Sequence, residues 1–98
     1  MTMSQQFESI TQELAATQQA TEELLREVAA ADGPDEHAFI RLDKLATACA
    51  KLAYGNGLAS LLSDNVISLI AWCDHLDDSE WKAKFASALK SYPLRSPW

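Results

Sequence analysis

Ninety-eight residues supply one modest hydrophobic core, and a composition of 48% hydrophobic and 22% charged residues is globular rather than disordered. The net charge of −6 is one-sided, with nine acids against three bases in residues 1–50 and five of each in residues 51–98. A chain of this sign has little with which to neutralise phosphates, which argues against nucleic-acid binding, and its most apolar stretch, the eight residues 66–73, falls well short of the ~20 that cross a bilayer.

The first element is written in a seam. Met3, Phe7, Ile10, Leu14, Thr17, Thr21, Leu24 and Val28 recur at alternating spacings of 4 and 3, the period of a helix that packs lengthwise on other helices. The pattern predicts a helix over residues 4–31, roughly 40 Å long at ~1.5 Å per residue. Asp32, Gly33 and Pro34 close it, since Gly33 can turn left-handed and Pro34 cannot continue a helix. A second helix opens near Asp35, with Glu36 at the positive end of its dipole. Its seam is Ala38, Leu42, Leu45, Cys49 and Leu52, and Gly55-Asn56-Gly57 ends it.

Residues 58–76 read as one continuous and very apolar third helix. Leu58, Leu62, Val66, Leu69, Ile70, Cys73 and Leu76 form its face, and Leu61, Ile67 and Trp72 widen it. A helix so apolar around its circumference is expected at the centre. Asp77 and Glu80 then make a capping-box pattern for a fourth helix, striped by Trp81, Phe85, Ala88, Leu89 and Tyr92 and stopped by Pro93. Nothing alternates with period two, and the joints are short. The expected fold is therefore all-α: a single-domain antiparallel four-helix bundle over residues 1–92, with a long N-terminal helix and an extended tail over 93–98.

Two regions stand out as candidate partner-binding surfaces. The first helix is longer than the others, so Met3, Phe7 and Ile10 overhang them and would expose apolar side chains unless a second copy or another protein covers them. In the tail, Leu94, Arg95 and Trp98 either form a short docking segment, Trp and Arg being favoured at binding hot spots, or fold back so that Trp98 buries its ring on the bundle.

Chemistry-bearing patterns are weaker. Cys49, Cys73, His37 and His75 lack the spacing of a zinc site, and both cysteines fall on seam positions, as small buried groups do. Asp74, Asp77, Asp78 and Glu80 lack the glycine and spacing of a calcium loop. Thr17 and Thr21 give helix one a mildly polar waist, which either accepts a partner side chain or returns its hydroxyls to the backbone. No serine sits in a nucleophile elbow and no glycine-rich phosphate loop appears, so neither an enzyme nor a cofactor is expected.

The leading expectation is a small intracellular, cytoplasmic interaction module: an adaptor, chaperone or inhibitor of a regulator that occludes a partner's surface. Its partner would be a protein, basic if charge guides it, and the module would self-associate as a dimer without binding membranes. The alternative is a small-molecule or metal-binding bundle using Cys49, Cys73, His75 or the Thr17–Thr21 waist.

Overall fold

The computed structural model describes residues 3–31, 35–91 and 93–97, with only the backbone of residues 3–5. The expectations placed on Asp32, Gly33, Pro34, Tyr92, Trp98 and the Met3 side chain lie outside those residues. Every regular element described is helical: α1 (Met3–Ala30), α2 (Glu36–Tyr54), a 3-10 turn (Ala59–Leu61), α3 (Asp64–Cys73) and α4 (Ser79–Leu89). The molecule measures 46 × 22 × 20 Å.

The first two helices form as their seams dictate, and their mutual packing is the most extensive in the molecule. Asp35 caps α2, its carboxylate accepting the Ala38 N–H at 2.7 Å. At the other end Gly57, at φ +68°, turns the chain so that the Leu58 N–H reaches the Ala53 carbonyl at 2.7 Å. Leu58 and Ala53 are then buried together, the apolar contact that accompanies this helix closure.

The core has two parts. Leu14 from α1 meets Cys49 and Ala53 from late α2, with Leu58, Leu62 and Val66 beyond them. Leu24, Leu25 and Val28 from late α1 meet Phe39, Leu42 and Ala46 from early α2, together with Leu69, Trp72, Phe85 and Leu89. The start of α1 thus lies against the end of α2. Thr21 is buried, its Oγ1 donating to the Thr17 carbonyl at 2.7 Å, and Thr17 Oγ1 donates to the Glu13 carbonyl at 2.8 Å. The waist hydroxyls are returned to their own helix.

Three expectations need correction. The single third helix is broken: a 3-10 turn occupies Ala59–Leu61, and α3 begins only after Ser63. The cause is tertiary. The Ser63 N–H donates to Gln18 Oε1 at 2.7 Å and Ser63 Oγ donates to Glu22 Oε1 at 2.6 Å, while the same Oγ accepts the Val66 N–H at 3.3 Å. Acceptors on α1 thereby hold Ser63 as a helix cap. Ile67, expected to widen the apolar face, is instead exposed. At α4 the cap is Asp78, which accepts the Glu80 N–H at 2.8 Å, rather than Asp77. Glu80 turns forward to Lys84 at 3.3 Å instead of closing a capping box.

The tail supplies the third correction. Leu94 is only 4% exposed and belongs to the core. Its N–H donates to Asn65 Oδ1 at 2.9 Å, and the Trp72 indole N–H donates to the Arg95 carbonyl at 2.7 Å. Leu94 is therefore a core residue and not part of a free docking segment, although the Arg95 side chain remains exposed. Leu94→Ala is expected to lower stability by about 2 kcal/mol, the low end for a buried leucine, as read by urea unfolding.

Candidate functional site

Exposed apolar side chains gather at the pole where α1 begins and α2 ends. Phe7 is 54% exposed, Tyr54 55% and Leu61 47%. Phe7, Thr11, Ala15 and Gln18 follow one another at helical spacing along a single ridge of α1. Beside that ridge runs a groove of about 230 Å³ lined by Thr11, Leu14, Ala15, Gln18 and Leu61. Gln18 fixes its far wall, since Nε2 donates to the Leu61 carbonyl at 3.2 Å while Oε1 takes the Ser63 N–H. The groove is thus built by the same clamp that breaks the expected third helix.

Of the overhang residues with described side chains, the two behave differently. Phe7 stands out into solvent, whereas Ile10 is half-buried against the core around Leu14. The apolar projection is shorter than the sequence implied, and Ile10 belongs partly to the fold. Leu61 and Tyr54 join Phe7 instead.

The rim is acidic. Glu8 and Glu13 on α1 are exposed, and no Lys or Arg precedes Arg26 in the chain. Asp64 is likewise exposed at the start of α3. Such a surface can bury apolar groups of a partner at its centre and attract basic ones to its edge.

Of the remaining candidate chemistry, Cys49 is buried, Cys73 and His75 are half-buried, and His37 is exposed. Burial pushes the Cys49 thiol up in pKa; contact with Thr21 Oγ1 at 3.6 Å works against this, and Glu22 adds a smaller rise. Burial raises Cys73 to about 12, with the Asp43 carboxylate as the next cause. Both sulfurs are therefore held as thiols, the form that neither attacks nor ligates. His75 stacks on Trp81 at 4.4 Å within an aromatic cluster. Among the described residues, no three His, Cys, Asp or Glu side chains converge as metal ligands, and no helix is long and apolar enough to cross a membrane. No protein-family model, curated protein or solved structure matches the chain.

Proposed function

We propose that the protein is a cytoplasmic protein–protein interaction module, a single-domain antiparallel four-helix bundle that acts by covering a partner's surface and also associates with itself. The exposed Phe7–Leu61–Tyr54 pole with its adjoining groove is the observation that carries this reading. A solitary apolar side chain on a surface needs no explanation, but an exposed leucine lining a groove, with an exposed phenylalanine one helical turn before Thr11 of its wall, suits a contact site. The acidic rim favours a partner whose contacting segment is basic with apolar anchors. Arg95 can contribute at the surface.

Affinity capture from the source cell tests this, comparing the wild-type chain with Phe7→Asp. The expected result is a partner recovered by the wild-type chain and lost with Phe7→Asp, whose melting temperature stays within about 2 °C because an exposed site costs little. A large drop in melting temperature with capture unchanged would show Phe7 to be structural and the pole idle.

A further inference from the structure

Away from the apolar pole, α1 and α2 share a second surface. The tail, α3 and α4 contribute to the cores described above, but the opposite side of the α1–α2 pair is an open groove of about 400 Å³ lined by these two helices alone. Its floor is apolar, with Ala20 and Leu24 from α1 and Leu45 from α2. Its walls carry opposite charge. Glu23 and Glu27, four residues apart, form the α1 wall, and Arg41 and Lys44, three apart, form the α2 wall. The groove continues past Val28 and Ala38 toward the α1–α2 joint, with Glu27 and Arg41 again on either side.

Among the described residues these charges are left open. Glu36 and Glu80 find Lys82 and Lys84, but among the described residues no ion pair crosses the groove, and Glu27, Arg41 and Lys44 make no side-chain hydrogen bond. Glu23 has only Gln19, at 3.4 Å. Each wall is a pair of neighbouring like charges, which repel weakly on one helix.

We infer that this groove is a dimer interface, occupied by a second copy of the same chain related by a two-fold axis running along it. The inference deepens the self-association part of the proposed function and names its surface. The charge pattern selects both the occupant and the axis. A two-fold axis along the groove lays each α1 on the partner subunit's α2, because rotation about that line exchanges the two walls. The acidic wall of each copy then meets the basic wall of the other, twice over by symmetry, while the apolar floors face one another and are covered. An axis across the groove would instead set α1 on α1 and bring glutamates toward glutamates, which is disfavoured. The face is thus complementary to itself in one orientation only.

Sedimentation equilibrium on the full chain tests this through a charge swap. The wild-type chain is expected to reach twice its 10.8 kDa mass. Glu27→Arg alone, or Arg41→Glu alone, places like charges opposite each other at two symmetric positions and is expected to raise the dimer dissociation constant at least about tenfold. The double variant Glu27→Arg/Arg41→Glu restores opposite charges and is expected to return to within about threefold of wild type. Circular dichroism establishes that each variant is folded. Should a variant not fold, the wild-type dimer is compared at low and at about 1 M salt, where screening is strong, and weakening is expected.

A chain that stays monomeric at every concentration overturns the inference. So does a dimer indifferent to the single reversals, a folded double variant that is not rescued, or a wild-type dimer that tightens with salt. A dimer that withstands the reversals but dissociates with Phe7→Asp places self-association at the apolar pole, which leaves the proposed function standing without this interface. Capture of a different protein by the groove, lost on reversal while the chain remains monomeric, likewise overturns it.

Discussion

A Phe85→Ala chain is expected to unfold with about 3–5 kcal/mol less stability than the native protein, measured as a lowered urea midpoint at unchanged slope. Phe85 is fully buried, and its ring lies 5.7 Å from that of Phe39 in α2 and 5.5 Å from that of Trp72 in α3. Trp72 in turn meets Trp81 edge-on at 5.8 Å. Phe85 is therefore where α4 joins both α2 and α3. At 11 residues α4 is too short to persist alone in water, so it depends on this packing. Its other tie to α2 is at the surface, where Lys82 bonds both Glu36 carboxylate oxygens, at 2.8 and 2.9 Å, and lies 5.3 Å from the Phe39 ring centroid. Exposed pairs of that kind contribute about 1 kcal/mol or less. Since a domain of this size has only about 5–15 kcal/mol in total, the variant stands near the limit of folding. A loss under about 1 kcal/mol would mean that α4 is fastened elsewhere.

Leu69→Ala is expected to cost about 2–5 kcal/mol, with Ile67→Ala on the same helix as its control at about 0.5 kcal/mol or less. Leu69 is fully buried while Ile67 is exposed. Leu69 fills the aromatic part of the core and Val66 the part around Leu14, and Ile70 packs against both. The 10-residue α3 thus reaches both clusters, as α1 and α2 do, and a cavity at Leu69 loosens their junction. Thermal unfolding of the two variants separates the cases. Equal losses would mean that α3 has no distinct inner face.

What could be read from the sequence follows from how local each signal is. α1 and α2 are legible to within one or two residues because their seams run uninterrupted and their ends carry their own punctuation in Asp35, Glu36 and Gly57. The break at residues 59–63 is not legible, because Leu58, Leu62, Val66 and Leu69 keep helical spacing straight through it. Its cause lies on α1, in Gln18 and Glu22, while the one local cue is Ser63 followed by Asp64, a cap residue before an acid in the first turn. Likewise Pro93 and Pro97 mark the tail as extended, but only Asn65 and Trp72 decide that it folds back. Phe7 could be singled out because it sits on the seam beyond the reach of shorter helices. Leu61 and Tyr54 could not, since the exposure of Leu61 follows from the break. Glu23, Glu27, Arg41 and Lys44 read as ordinary solvated charges until the fold sets them on facing walls.

The clamp on Ser63 also has a consequence for the order in which the chain assembles. Its bonds join residues 41 and 45 positions apart, a long loop to close from an open chain. Once α1 and α2 are paired, the distance left to bridge is only the stretch from Tyr54 to Ser63. The closure penalty grows with the logarithm of loop length, so this shortening lowers it by roughly 1 kcal/mol. Closure therefore favours pairing of the first two helices before α3 is nucleated, with the third helix taking its starting residue from the surface they form.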